Sequence, residues 1–259
     1  SRETLMTLDP ERDPDRPRVI AHRGGAAEQP QNTLGAFRAC AGSGIDGVEF
    51  DVHQARDGVL VIHHDAWLDR STDGHGAVAE YTAQALAALK VRGAAEGPPR
   101  LDDALEALGV DPRLELHLEV KTDHRGRVPN GLVQRCLEAT ASRGLTERLV
   151  LTSFRADDLE RSVAACSGLR TALAIQLSTS WMVGGLESLV ARGLRIPGCV
   201  ISLENLLART NLDLLLEVAP DRLGVWNVDD EDDLRFWLGQ PVRQIITDRP
   251  TLALRLRDA

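Results

Sequence analysis

The sequence predicts an α/β protein, a closed (β/α)8 TIM barrel with a short insertion after the second strand, on three observations. Strand and helix signals alternate along the chain, and from Val19 onward they make eight strand-helix units. A length of 259 residues suits one such barrel. No GxGxxG or P-loop pattern opens any of the helices, which weighs against an open nucleotide-binding sheet.

Residues 1–16 carry Asp9-Pro10 and Asp13-Pro14 among alternating charges and read as a flexible N-terminal arm, which leaves 17–259 for a single barrel domain. The first strand, Val19-Ile20-Ala21, ends in His22-Arg23-Gly24-Gly25, where paired glycines allow an abrupt loop. Asn32-Thr33 gives an N-cap signal for a helix whose Leu34, Ala36, Phe37 and Cys40 keep helical spacing until Gly42 and Gly44 stop it. The second strand runs through Val48-Glu49-Phe50-Asp51-Val52-His53. A turn at Asp57-Gly58 then leads into a second apolar run ending in His63-His64-Asp65. Residues from about 66 to 100 form the insertion, with an Ala-rich helix near 82–90 and a Gly/Pro-rich return. From Leu101 the alternation is regular. Helices are expected over 101–109, 130–143, 156–166, 181–192, 210–218 and 230–238. Strands are expected over 114–121, 148–152, 170–175, 198–202, 222–228 and 243–247, and a closing helix starts at Pro250.

Composition narrows the partners. A formal net charge of -9 disfavours general affinity for nucleic acid or anionic membrane, while leaving room for a local basic pocket around one phosphate. No run of about 18 apolar residues is present, so no integral membrane segment is expected. The charged, Pro-containing start does not read as a signal peptide, and a cytoplasmic location is the expectation. Cys40, Cys136, Cys166 and Cys199 form no CxxC or Cys/His pattern and are expected to be reduced thiols.

The chemistry concentrates at the ends of the early strands, which in such a barrel surround the active-site mouth. Residues two apart on a strand share a face, so Glu49 and Asp51 project together while Val48, Phe50 and Val52 take the opposite face. Two carboxylates on one face need a bound cation with hard oxygen ligands, or nearby Arg and Lys, because bare buried anions are prohibitively costly. Glu119 and Lys121 stand in the same relation late in the third barrel strand, and His22 and Arg23 follow the first. His63 and His64 face oppositely, so one of them enters the mouth. His53 shares the face of Glu49 and Asp51, and its place at the mouth is left open. His75, His117 and His124 read as structural or solvated. The acidic run from Asp229 to Asp233 reads as a helix N-terminus, where negative charge is favourable.

Taken in order, these residues resemble the glycerophosphodiester phosphodiesterase family. The resemblance rests on His22-Arg23-Gly24, Pro30-Gln31-Asn32-Thr33, Val48-Glu49-Phe50-Asp51-Val52, His64-Asp65 and Leu68-Asp69-Arg70-Ser71-Thr72. It continues through Leu118-Glu119-Val120-Lys121, Val225-Trp226 and Ile246-Thr247-Asp248-Arg249-Pro250, and so covers essentially the whole chain. Each piece is weak alone; the ordered set is specific. Three positions depart from it, Gln31 where Glu is usual and Asn227 and Asp229 in Asn227-Val228-Asp229 where Thr-Val-Asn is usual, and the excursion between Lys90 and Leu101 is short.

The resemblance implies hydrolysis of a small-molecule glycerophosphodiester to glycerol 3-phosphate and an alcohol. It also implies a divalent cation, Mg2+ or Ca2+, on Glu49, Asp51 and Glu119. It assigns phosphate contacts to Arg23 and Lys121, a substrate wall to Trp226, and acid-base catalysis to His22 and His64. The acid role is expected of His64, which Asp65 and the nearby carboxylates would help to keep protonated. Two other readings stay open: a lysophospholipase D-like enzyme acting on lipid substrates, which needs an apolar patch at the mouth, and a non-catalytic phosphodiester-binding barrel. A structural ion-pair network of Glu49, Asp51 and Glu119 with Arg23 and Lys121 is a third account of the same charges. Oligomeric state is not encoded in any of these signals.

Overall fold

The structure, a computed structural model, describes residues 16–182 and 184–259, with the backbone alone at 180–182. The expected N-terminal arm, Arg16 apart, lies outside the described residues.

The elements follow in chain order as β1 (Arg18–His22), α1 (Leu34–Cys40), β2 (Gly47–Gln54), β3 (Leu60–Ile62), α2 (Ala83–Ala87), α3 (Leu101–Gly109) and β4 (Glu115–Val120). Then come α4 (Leu132–Ala141), β5 (Leu149–Ser153), α5 (Ala156–Ala165), β6 (Arg170–Ile175), α6 (Leu177–Met182), α7 (Leu186–Arg195) and β7 (Val200–Glu204). The chain closes with α8 (Asn205–Arg209), α9 (Leu212–Leu215), β8 (Leu223–Trp226), α10 (Glu231–Leu238), β9 (Gln244–Thr247) and α11 (Pro250–Arg257). Among the described residues eight parallel strands run in the order β1-β9-β8-β7-β6-β5-β4-β2, and a β1–β2 pairing closes the ring. The expected (β/α)8 barrel is therefore the observed one. β3 folds back antiparallel on β2, with Val52 opposite Ile62, through a turn whose Gly58 has φ 81°. The insertion follows β3 and carries α2 over its own small core of Ala55, Val61, Leu68, Val78, Ala83 and Leu86.

Alternation along each strand sorts the side chains. Val19 and Ala21 of β1, Val48, Phe50 and Val52 of β2, and Leu116, Leu118 and Val120 of β4 all join one apolar cluster with the surrounding helices. The residues between them turn inward, and on β1, β2 and β4 they are mostly polar or charged. On the far side of the ring the inward face carries the small cluster Val150, Ala172 and Val200 together with the buried polar Thr152, Ser202 and Gln244. The charge in the barrel interior is thus concentrated on β1, β2 and β4.

Three boundaries differ from the sequence reading. The helix expected over 181–192 is two, α6 and α7, because Gly184 and Gly185 take φ of 90° and 98° and break the helical path. The helix expected over 210–218 is only the short α9, Leu212–Leu215, and an unexpected α8, Asn205–Arg209, precedes it. Between them Asn211 Nδ2 takes the Leu207 carbonyl while Asn211 N turns to that of Ala208, which ends α8. The Ala-rich helix is confined to Ala83–Ala87, capped by Thr82 Oγ1 accepting from Ala85 N. The four cysteines are free, three of them buried. Among the described residues no helix is long and apolar enough to cross a membrane.

The N-terminal end of the barrel is stitched by charge. Glu115 is fully buried and pairs with Arg18 at 2.6 Å, Arg170 at 2.6 Å and Arg243 at 2.8 Å, and His117 Nε2 lies 3.3 Å from its other oxygen. Burial opposes the charge, yet Arg243, His117 and Arg18 hold the carboxyl well below the usual range. Arginines of β1 and β6, and Arg243 just before β9, therefore depend on one anion from β4. Glu115→Ala leaves them facing one another without it, and stability should fall by about 3–5 kcal/mol. Urea unfolding of the variant against wild type measures this, and a loss under about 1 kcal/mol shows that solvent replaces the anion.

Candidate active site

Strand register assembles the mouth. His22 lies opposite Glu49 across the β1–β2 pair, and Asp51 lies opposite Glu119 across the β2–β4 pair. One oxygen from each of Glu49, Asp51 and Glu119 lies within 4.8 Å of the others. Glu49 and Asp51 are buried, and Glu119 keeps only a sliver of exposure.

The counter-charges are specific. Lys121 Nζ lies 2.6 Å from Glu119 Oε1 and 3.3 Å from Asp51 Oδ1, and Arg23 Nε lies 3.5 Å from Asp51 Oδ2. Two side-chain cations thus face three carboxylates. Burial, then the neighbouring Asp51 and Glu119, pushes Glu49 well above the usual carboxylate range. Burial also raises Glu119, against the pull of Lys121. Asp51 goes the other way: burial opposes its charge, but Lys121, His64 and Arg23 hold it below the ordinary value. An ion-pair network alone leaves this cluster short of one positive charge. Glu49 Oε1 is also buried with no hydrogen-bond donor among the described residues, and Asp51 Oδ1 meets only the Lys121 ammonium at 3.3 Å. Three convergent oxygens with spare lone pairs and excess negative charge fit a hard divalent cation, and no thiolate is near to favour a softer one.

The loop after β1 wraps this cluster in unusual backbone. Arg23 and Asn32 both take left-handed φ, 51° and 56°, which costs a non-glycine residue energy and persists only where the surroundings enforce it. Here the surroundings are hydrogen bonds. Arg23 N donates to Glu49 Oε2 at 3.2 Å, Asn32 N to the Arg23 carbonyl at 2.9 Å, and Asn32 Nδ2 to Asp51 Oδ2 at 2.8 Å. Gly24, at φ 81°, fits because a Cβ there would stand 2.8 Å from Ala36 Cβ. Arg23 Nη1 also donates to Gln31 Oε1 at 2.8 Å, so the departure at Gln31 keeps an acceptor but removes a charge.

The histidines divide clearly. His22 places Nδ1 2.6 Å from Asp248 Oδ1 and Nε2 3.8 Å from Glu49 Oε2. His64 lies 2.7 Å from Asp65 Oδ1 through Nδ1, and Asp65 is gripped by Arg70 Nε at 2.6 Å and Nη2 at 2.9 Å. Burial, with Lys121 and Arg23 nearby, lowers His64 to about 4. A neutral His64 is the opposite of the protonation that an acid role requires. His53, whose place was open, is buried and bonds the His64 carbonyl at 3.1 Å, which makes it a support for that loop. His63 is buried against the Trp67 carbonyl and Ser71 Oγ, both at 3.4 Å. His117 serves Glu115, His75 is exposed beside Asp69, and His124 packs against Trp67 with ring centroids 5.5 Å apart.

Trp226 ends β8 and donates Nε1–H to the Ser202 carbonyl at 2.9 Å. Phe154, just past β5, stands edge-on to it with centroids 5.6 Å apart. Phe154 carries no signal in the sequence beyond its place after a strand. Asn32 reads there as part of a helix cap, and the structure gives the cap to Thr33 and turns Asn32 to Asp51. The acidic run at 229 divides likewise: Asp230 caps α10, while Asp229 turns to the mouth and accepts from Asp248 N at 2.7 Å.

Comparison with known proteins points the same way. The family model described as the glycerophosphoryl diester phosphodiesterase family matches residues 22–252. A glycerophosphodiester phosphodiesterase of Caldanaerobacter subterraneus subsp. tengcongensis is 29% identical over 247 residues, 92% of this chain and 96% of that one. A solved structure from Agrobacterium tumefaciens, assigned as a glycerophosphoryl diester phosphodiesterase, superimposes with a TM-score of 0.83 at 26% identity, covering 94% of this chain and 98% of that one. An Oleispira antarctica phosphodiesterase, solved with its product sn-glycerol-3-phosphate, shares the fold at a TM-score of 0.78 and 22% identity, over 94% of this chain and 98% of that one.

Two outcomes follow from the electrostatics. A cation that binds only the folded chain should raise the melting temperature, by about 2.7 kcal/mol of stability when free cation stands about 100-fold above Kd. Glu49→Gln removes a buried, crowded charge, so in chelator it should be as stable as wild type or more so, while losing most of the cation-induced rise. Thermal unfolding with and without Mg2+ or Ca2+ reads both. Secondly, His53 and His64 are each lowered from 6.5 to about 4, so between those values the unfolded chain binds more protons than the folded one. Their contribution is present above pH 6.5 and is lost as pH falls toward 4. Urea unfolding in chelator at descending pH should show that decline, and His53→Gln should flatten it.

Proposed function

The chain belongs to the glycerophosphoryl diester phosphodiesterase family, and we propose that it hydrolyses glycerophosphodiesters to glycerol 3-phosphate and an alcohol with a divalent cation, Mg2+ or Ca2+, on Glu49, Asp51 and Glu119. The observation that carries the reading is the buried carboxylate trio, which outnumbers its two side-chain cations and leaves Glu49 Oε1 without a donor among the described residues. When bound, such a cation neutralises phosphate oxygens and lowers the pKa of a hydroxyl. Arg23 and Lys121, already held against the trio, add charge-assisted hydrogen bonds to the same phosphate. With Nδ1 engaged by a carboxylate in both His22 and His64, each keeps Nε2 for proton exchange with the attacking or leaving oxygen. Trp226, backed by Phe154, forms the wall against which the glycerol moiety rests.

One observation favours a second substrate class. Trp67 follows β3, Leu177 follows β6 and Leu206 follows β7, and they are 51%, 51% and 68% exposed. Large apolar side chains on three of the segments that leave the strand ends, one a loop and two the helices α6 and α8, suit a substrate with a lipid tail, which the scarcity of aromatic residues in the sequence argues against. A panel of water-soluble glycerophosphodiesters and lysophospholipids, with release of glycerol 3-phosphate and of free head group measured separately, ranks the two classes. Turnover of the soluble diesters is the expected result, lost in chelator and restored by Mg2+ or Ca2+. Full activity after exhaustive chelation sinks the cation. No turnover of any diester with cation present leaves the binding barrel.

The leaving group separates the two histidines. Protonation of a poor alkoxide contributes about 10²- to 10⁴-fold to rate, whereas an aryl oxide leaves with little help. One of His22→Asn and His64→Asn should be nearly inactive on an alkyl diester and substantially rescued on an aryl diester, which identifies the acid; the other should be impaired on both. Near-normal rates for either variant remove that histidine from the reaction.

A further inference from the structure

We propose that Asp248 is a positioning residue that fixes the ring orientation and tautomer of His22, and that Asp229 holds Asp248 in place. The inference rests on the hydrolytic reading above for its kinetic consequence, but not for its geometry.

Strand pairing creates the contact. β1 and β9 are parallel neighbours with Ala21 opposite Thr247, so the next residue on each, His22 and Asp248, emerges at the same height on the mouth. The carboxylate Oδ1 and the ring Nδ1 are 2.6 Å apart, a distance of charge-assisted bonds. The Asp248 backbone is held on both sides. Its N–H donates to Asp229 Oδ1 at 2.7 Å, and its carbonyl accepts from Ala27 N at 3.0 Å. Asp229 Oδ1 also accepts from Thr247 Oγ1 at 3.1 Å, and its own carbonyl accepts from Arg249 Nη1 at 3.3 Å. Asn227 Nδ2, a donor only, lies against His22 Nδ1 and 3.5 Å from Asp248 Oδ1 just past the end of β8, and the charged carboxylate is the stronger acceptor for its N–H. Asp229 and Asn227 are two of the positions at which this chain departs from the pattern it resembles, and both belong to this support.

A carboxylate accepts only, so a ring nitrogen bonded to it carries the proton. The proton stays on Nδ1, and Nε2, 3.8 Å from Glu49 Oε2, is left to take a proton from one reacting oxygen or return it to another. His64 has a carboxylate at the same ring position, but that carboxylate is bound twice by Arg70. Asp248 has no Arg or Lys among its ion-pair partners in the described residues. Among the described residues its charge meets the imidazole of His22 at 2.6 Å and the neutral amide of Asn227 at 3.5 Å.

The primary readout needs no turnover. Ring ¹⁵N shifts of His22 in the cation-loaded protein, at a pH where the imidazole is neutral, should report the Nδ1–H tautomer. In Asp248→Asn the ring should shift toward Nε2–H, since an amide NH2 donates to Nδ1. An Nε2–H wild type overturns the proposal whatever the variants do. The kinetic arm expects Asp248→Asn to lose about 10²-fold or more in kcat on an alkyl glycerophosphodiester with KM little changed, as a misplaced tautomer does elsewhere. The cation-induced rise in melting temperature should persist. Adding Asp248→Asn to His22→Asn should cost nothing further, because the residue acts through that ring. An equal loss in the His22→Asn background, or kcat within about threefold of wild type, overturns it. A wild type that turns over no diester defeats the hydrolytic reading instead, and the tautomer measurement still decides the role of Asp248.

Discussion

Three carboxylates are packed into one dry spot, and much of the mouth is arranged to make that tolerable. Moving a carboxylate out of water costs several kcal/mol unless the site returns charge and hydrogen bonds. β2 alone contributes two of them, so relief has to come from elsewhere: Lys121 from the end of β4, Arg23 from the loop after β1, and the amide of Asn32. The left-handed conformations of Arg23 and Asn32 follow from this need, since they bring the N–H of one and the side chain of the other onto Glu49 and Asp51. Backbone cost at two residues is exchanged for solvation of two buried anions.

That exchange is incomplete by design of the residues. The cluster at the other end of the barrel has the reverse imbalance, three arginines around the one carboxylate of Glu115. At the mouth three carboxylates outnumber two side-chain cations, and Glu49 Oε1 stays without a donor among the described residues. The two ends of one barrel therefore use the same side-chain types with opposite excess charge.

The sequence carried the fold and the trio for the same reason: strand periodicity of two. Glu49 and Asp51 could be placed on one face, and the eight units counted, from spacing alone. The helix break at Gly184-Gly185 was harder, because it depends on backbone sign, and α8 went unread altogether, since five residues show too little helical spacing to be told from a loop. The partners of the trio were half visible. Lys121 and Arg23 announce themselves by charge, whereas Asn32 looks like any cap residue until its neighbour Thr33 is seen to take that work. Phe154 and Asp248 depend on which strands become neighbours, and that is set by closure of the ring rather than by local pattern. The lowered pKa of His64 comes from burial first, which spacing does not report.

β4 presents Glu115, His117 and Glu119 at intervals of two along one face, with Lys121 continuing the interval just past its end, and Leu116, Leu118 and Val120 on the other. Sliding this strand by one residue along its neighbours would bury the charges among the helices, and the apolar pattern forbids it. Sliding it by two would keep every leucine in the core and still put a charged or imidazole side chain at each inward position, so hydrophobicity is blind to that error. What distinguishes the two alignments is the anchor at the lower end: after such a slip His117, not Glu115, would meet Arg18, Arg170 and Arg243, or else they would meet Arg113. The ion cluster farthest from the mouth thereby acts as the alignment key for the strand, and fidelity of the site is guarded at the opposite pole of the barrel.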